Sequence, residues 1–248
     1  MTDFFAAFAW IGDPTHWVGP DGIPTRLAEH IAYSALTLLI AGIIAIPIGL
    51  LIGHTGRGRE FAVGLSGALR AIPTLGLLVY LSLQIAGLGI QAPLIALTVL
   101  AIPPVLAGAY SGVETLDKRM IDAARSMGMT EFQILLKVEL PLGLPLLIGG
   151  LRSAALQVIA TWTVAAFLPV GGLGRYIIDG LPVLRYDEML AGSILVVGLA
   201  LVTDGLFALL QKFVVPRGVV AGRTKEVRVK TVRRHPVVGV TTPESTTE

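Results

Sequence analysis

The sequence predicts an all-α, polytopic membrane bundle of about five transmembrane helices. Three observations predict it. Of the 248 residues, 54% are apolar and only 15% charged, with a mean hydropathy of +0.76, against about 25% charged residues in soluble domains. Charges are absent from Ile31 to Gly53 and from Ala71 to Val113. The basic residues also segregate into alternate connections, as cytoplasmic loops require.

Residues 1–30 read as an external N-terminal segment. Phe4, Phe5, Phe8 and Trp10 are suited to an interface. Asp3, with no basic residue before the apolar stretch to Ile11, does not look like a cleaved leader. A crossing of ~30 Å takes about 20 apolar residues. The first charge-free run is therefore one span, 31–53. The second, 43 residues long, is two spans, 68–88 and 91–113, divided around Gly87-Leu88-Gly89. A polar loop, 114–141, separates these from spans at 142–168 and 189–211. Residues 219–248, basic and then Thr/Pro/Glu-rich, read as a disordered tail whose basic part is suited to anionic lipid.

Counting basic residues orients the bundle. One side receives Arg57, Arg59, Lys118, Arg119, Arg125, Lys137 and the residues from Lys212 to Arg234, with Arg70 snorkelling toward it. The other receives Arg26, Arg175 and Arg185. The N-terminus is expected outside and the C-terminus in the cytoplasm. Pro47, Pro73, Pro93 and Pro103-Pro104 are expected to kink helices whose neighbours satisfy the freed backbone groups. Gly49/Gly53 and Gly108/Gly112 suit close helix approach, within one bundle or at a dimer seam.

In the loop, Asp117 is a good N-cap for a helix over 118–127 and Gly128 a good terminator. Thr130, with Gln133 in capping-box position, opens a second short helix, and Pro141 marks entry to the fourth span. Ala123 and Ala124 leave little bulk at the first helix's centre. Two readings stand: an amphipathic helix lying on the membrane, or a surface fitting a groove on a soluble partner.

The register of Asp122, Ala123, Ala124, Gly128, Val138, Leu140 and Pro141 resembles the EAA loop of ABC importer permeases, with Asp122 where Glu is usual. Over roughly 25–218, Ala71-Ile72-Pro73-Thr74, Met127-Gly128-Met129-Thr130, Val138-Glu139-Leu140-Pro141-Leu142 and Gly171-Gly172-Leu173-Gly174 are similar to the osmoprotectant branch, which imports glycine betaine, carnitine, choline and related solutes. The resemblance implies a type I importer permease in a bacterial inner membrane, its permease domain spanning 31–218. It implies a dimer of ATPase subunits using ATP and Mg, a second permease chain, identical or sister, and an extracytoplasmic substrate-binding protein. It makes the 118–127 helix the coupling element, whose movement drives alternating access.

The chain itself carries no enzyme signature. No G-x-x-x-x-G-K-[S/T] loop occurs, and Gly53-His54-Thr55-Gly56-Arg57-Gly58 lacks its ending. Gly171-Gly172-Leu173-Gly174 more readily makes a turn into a short external helix around Arg175 to Leu181. His16, His30, His54 and His235 are scattered, so no metal site is expected, nor a bound cofactor, nor nucleic acid. No cysteine is present, which excludes disulfide and thiolate chemistry.

Within the spans, Arg152 and Asp204 fall at similar depths, so a salt bridge is geometrically allowed. A structural or gating pair, snorkelling, and substrate contact are its possible uses. Gln157, Thr161, Trp162 and Thr163 are candidates for the pathway wall, with an interfacial anchor the other reading for Trp162. A permease for another amino-acid-like solute, an ion-coupled secondary transporter and a membrane scaffold are the competing functions.

Overall fold

A computed structural model describes residues 2–85 and 89–214. Its helices are α1 (Thr2–Gly12), α2 (Ile23–Thr55), α3 (Arg59–Ala71), α4 (Thr74–Gln84), α5 (Gln91–Glu114), α6 (Lys118–Ser126), α7 (Glu131–Ile134), α8 (Leu140–Ala165), α9 (Gly174–Gly180) and α10 (Tyr186–Val214). There is no strand among the described residues. Four of the helices are long and apolar enough to cross a membrane, and α3 with α4 forms a bent fifth. The tail from 219 and most of the expected Gly87-Leu88-Gly89 break lie outside the described residues.

Glycine sets how the helices meet. A Cβ on Gly49 would lie 2.5 Å from the Ala109 Cβ, and one on Gly53 would lie 2.7 Å from the Val113 Cβ. Both pairs have the same residue offset, so α2 and α5 run parallel. Across the other face of α5, a Cβ on Gly108 would lie 2.7 Å from the Gly150 Cα, and one on Gly112 would lie 2.7 Å from the Gly143 carbonyl oxygen. That order reverses, so α8 is antiparallel. The backbones of α5 and α8 touch with no side chain between them at Gly108–Gly150 and Gly112–Gly143, and α2 meets α5 with Gly49 and Gly53 against the Ala109 and Val113 side chains, inside one chain. α5 is the buried centre, whereas α10 is open along its apolar length.

The parallel run of α2 and α5 settles what joins them. The chain must return from the C-terminal end of α2 to the N-terminal end of α5, and α3 with α4 makes that return. Where one span over 68–88 with a kink at Pro73 is expected, the structure has two helices, Arg59–Ala71 and Thr74–Gln84, that meet at an 85° bend. The reason is Pro73, which lacks an N–H and disfavours helix at the residue before it. Ile72 accordingly sits at φ −71°, ψ 124°, and Pro73 caps α4. α4 alone, 11 residues, reaches only about 16 Å. α3 instead presents Phe61 and Val63 outward and touches the core through Ala62.

Other boundaries shift for local reasons. α2 begins at Ile23, not 31, and its 33 residues make about 50 Å, well beyond the hydrocarbon. Its charged first turns are helical because Arg26 pairs with Glu29 and Asp21. Thr130 does cap with Gln133, but α7 does not stop before Pro141. It runs through a π-helical stretch, Leu135–Glu139, into α8, where the Leu140 N–H reaches back to the Leu135 carbonyl. This wide turn takes up Pro141 without a break. Trp10 is not an interfacial group as expected: it is buried, stacked on His16 and edge-on to Tyr176. Phe4, Phe5 and Phe8 remain exposed.

Gly108→Ala is expected to lower the stability of the detergent-solubilised chain by about 1–3 kcal/mol, the range for overpacking. Gly198→Ala, where a Cβ meets nothing within 4 Å, serves as the control. Equal thermal unfolding of the two variants would contradict the seam.

Candidate functional site

Two regions gather the chemistry: the α6–α8 loop at one end of the bundle, and the polar side chains between helices. In the loop, the Asp117 carboxylate accepts the Arg119 N–H at 2.9 Å and starts α6. Gly128, at φ 84°, ends it, with the Met129 N–H donating to Ala124 O at 3.2 Å. This reversal needs the left-handed region, where a side chain is penalised.

The seven loop residues do not share one surface. Ala124 is buried against the bundle, whereas Asp122, Ala123 and Gly128 face outward. Val138, Leu140 and Pro141 are half-buried where the π-helical stretch enters α8. Met120, Met127, Phe132 and Leu136 are exposed, and so are Lys118, Arg119, Asp122, Ala123 and Ser126, so the free surface of the loop mixes apolar and charged groups with one small residue among them. Arg125 is also exposed. It donates to Glu131 through Nε at 2.7 Å and Nη2 at 3.0 Å, and to Asp122 at 3.2 Å. Those carboxylates hold the guanidinium charged more firmly than usual, Glu131 contributing most.

Behind α6 lies a cavity of about 370 Å³ lined by Gly53, His54, Glu114, Lys118, Asp122 and Glu139, among others. His54 and Glu139 had no role assigned from the sequence. Each lies on a different element, and only the fold brings them to 2.7 Å.

Between helices, Arg152 Nε and Nη2 donate to the two Asp204 carboxylate oxygens, both at 2.5 Å. This two-point pairing joins α8 to α10. Gln211 on α10 adds a bond to Pro145 O at 3.2 Å.

Each of the four candidate pathway residues has a hydrogen-bond partner within this chain. Gln157 Nε2 donates to Leu100 O at 3.0 Å. That carbonyl sits four residues before Pro104, whose missing N–H leaves it without its helical partner. Gln157 thus repairs the kink in α5. Trp162 is buried between helices: its Nε1 donates to Thr37 Oγ1 at 3.0 Å and its ring tilts against Tyr33. Thr161 and Thr163 bond back to carbonyls of their own helix. Residues that line the apolar cavity of about 170 Å³ between α2, α8 and α10 include Ser34, Leu38, Ile159 and Thr203.

The opposite end of the bundle is tied by backbone chemistry. Gly171 and Gly172 both have positive φ, which turns the Gly172 N–H onto the Glu29 carboxylate at 2.8 Å. α9 follows, and Tyr176 donates to Asp21 O at 2.7 Å. Burial pushes its phenol up to about 12. All three basic residues at this end have acidic partners: Arg26 with Asp21 and Glu29, Arg175 with Asp179, Arg185 with Glu188.

Comparison with known proteins agrees with this geometry. The family described as binding-protein-dependent transport system inner membrane component matches residues 45–217, and the chain belongs to it. It is a transport component of the membrane, multi-pass, with the fold of type I ABC importer permeases. It is 32% identical over 191 residues to the carnitine transport permease protein OpuCB of Listeria monocytogenes, covering 77% of this chain and 87% of that one. The osmoprotectant import permease protein OsmW of Salmonella typhimurium is 30% identical, with 77% and 91% covered. Among solved structures, a chain of the MetNI methionine ABC transporter in an inward-facing conformation superposes with a TM-score of 0.68 at 22% identity. It covers 82% of this chain and 99% of that one; this likeness is of fold.

Replacing Arg152 or Asp204 alone leaves a charge without its partner in the span. Arg152→Asp or Asp204→Arg is expected to reduce the yield of intact chain extracted from membranes, and the combined swap to restore part of it. A double variant no better than the singles would refute a pairing that matters for assembly.

Proposed function

We propose that this chain is the translocation subunit of an ATP-driven importer for an osmoprotectant of the glycine betaine, carnitine or choline type. The observation that carries the reading is the outward surface of α6, where small Ala123 is exposed together with Met120, Met127 and charged side chains, a mixed surface suited to a protein groove. A soluble partner has few other places to hold a chain whose remaining surface is suited to lipid. The permease names of relatives at 30% identity and above point to the substrate class.

In this reading a dimer of ATPase subunits, using ATP and Mg, seats its groove on α6. Closure of that dimer moves the loop and, through the glycine seams, tilts α2, α5 and α8 together. Two permease chains, identical or sister, enclose the pathway. A substrate-binding protein docks at the α9 end. ATP shifts the equilibrium between inward- and outward-facing states only by its differential affinity for them. The chain lies in the bacterial inner membrane with the loop end in the cytoplasm. That end carries Arg57, Arg59, Lys118, Arg119, Arg125 and Lys137, the charge side that stays inside. The N-terminus is then external and the C-terminus cytoplasmic.

The test is uptake into proteoliposomes holding this chain with its proposed ATPase and substrate-binding protein. Labelled glycine betaine, carnitine and choline are expected to accumulate with ATP, and not without it. Ala123→Glu is expected to lose ATPase co-purification and to cut uptake at least about tenfold, the scale of burying one unpaired charge at an interface. Uptake without ATP, or undiminished in Ala123→Glu, would overturn the reading.

A further inference from the structure

The cytoplasmic end of α2 meets the loop through one side chain. His54 lies in the last turn of α2, its ring nearly enclosed. Nδ1 is 2.7 Å from Glu139 Oε2, and Nε2 is 3.3 Å from Glu131 Oε2. Nδ1 is hydrogen-bonded to the Glu139 carboxylate, and Nε2 lies at ion-pair distance from the Glu131 carboxylate, whose oxygens likewise only accept. Neutral imidazole has a single N–H; imidazolium has two.

Glu139 sharpens the point. It is 4% exposed, and a buried carboxylate is costly without a cation. Among the described residues its ion-pair partner is His54. A positive charge in the last turn of α2 is also favoured by the carbonyls that end that helix. The surrounding groups are Glu114 of α5, itself paired with Arg59 of α3, Lys118, Asp122 and Arg125 of α6, and Glu131 of α7. Arg125 holds Glu131, so an unbroken chain of ion pairs runs from Asp122 on α6 through Arg125, Glu131 and His54 to Glu139.

We propose that His54 is a positioning residue: as an imidazolium clamped between Glu131 and Glu139, it ties the end of α2 to the loop and carries the loop's displacement into the span. This rests on the coupling role proposed for α6. α2 has no other ionic tie to the loop among the described residues. Losing the clamp should leave ATP hydrolysis in place and spoil its conversion into transport.

The measurement is solute transported per ATP hydrolysed, in proteoliposomes of the full transporter, from about pH 6 to about pH 8.5, across the ordinary imidazole range. His54→Gln is expected to bind the ATPase and hydrolyse ATP, with transport per ATP about tenfold lower, the scale of one charged hydrogen bond. His54→Arg keeps a cation, and the adjoining cavity has room for it. It is expected to recover most of the ratio and to hold it flat as pH rises, while the wild type declines. If His54→Gln does not assemble, the comparison of wild type with His54→Arg decides, and equal pH profiles overturn the clamp. Nitrogen-15 spectra of the wild-type complex near neutral pH give an independent reading. Two protonated ring nitrogens on His54 are expected, and a neutral tautomer overturns the proposal. Absence of any ATP-dependent uptake by the wild type would instead count against the importer reading.

Discussion

The close approach of backbones along α5 is the constraint on which the rest of the structure depends. Gly49 and Gly53 open one face of the contact and Gly108, Gly112, Gly143 and Gly150 the other. In lipid, helices gain little from hiding apolar side chains from one another, so dense packing and hydrogen bonds must hold them. With glycine on at least one side of each of these contacts, α2, α5 and α8 pack closely and have little freedom to slide. Gln157 on α8 bonds to the Leu100 carbonyl freed by Pro104, and Trp162 reaches across to Thr37 on α2. His30 of α2 adds a contact to Ile159 O at 3.1 Å. The seam and these bonds lie on the same three helices and reinforce one another.

Around that unit the remaining helices are attached more loosely. α10 is joined by Arg152–Asp204 and Gln211, and α3 with α4 by a few apolar contacts and an exposed Arg59–Glu114 pair. A tight unit with peripheral helices is a suitable body for rigid tilting. The loop meets this body at three points: the short 115–117 link from α5, the continuous helix from α7 into α8, and the ion pairs to the end of α2. Force applied at α6 in the proposed cycle would therefore reach all three helices of the unit. The π-helical stretch lies on the second of those routes, a geometry often found where helices serve a function.

Much of this architecture is legible in the sequence because its signals are physical and local. Charge-free runs mark the spans, and the capping residues Asp117 and Thr130 mark the loop helices. Fixed rise per residue sets Arg152 and Asp204 at equal depth. The glycine pairs show where backbones can touch, though not which helix each meets. What was not legible depends on distant partners. Pro73 reads as one more kink; only the parallel run of α2 and α5 reveals that the chain bends 85° there. Trp162 and Gln157 look like pathway groups because they are polar, and their partners on α2 and α5 are invisible from α8 alone. His54 and Glu139, 85 positions apart, carry no pattern that would join them. Pro141 reads as the entry to the fourth span, which it is, but the π turn that joins it to α7 leaves no mark in composition.

The central claim is that α2 and α5 move as one body with the loop. The chain has no cysteine, so Leu39→Cys with Ile95→Cys, and Leu39→Cys with Met127→Cys, each place spin labels at two exposed positions without background. Pulsed dipolar distances would be recorded in complexes with one labelled chain, nucleotide-free and then trapped with ATP. The account predicts that both distance distributions stay unchanged while the transporter switches state. A shift of the α2–α5 distance on ATP trapping would contradict it.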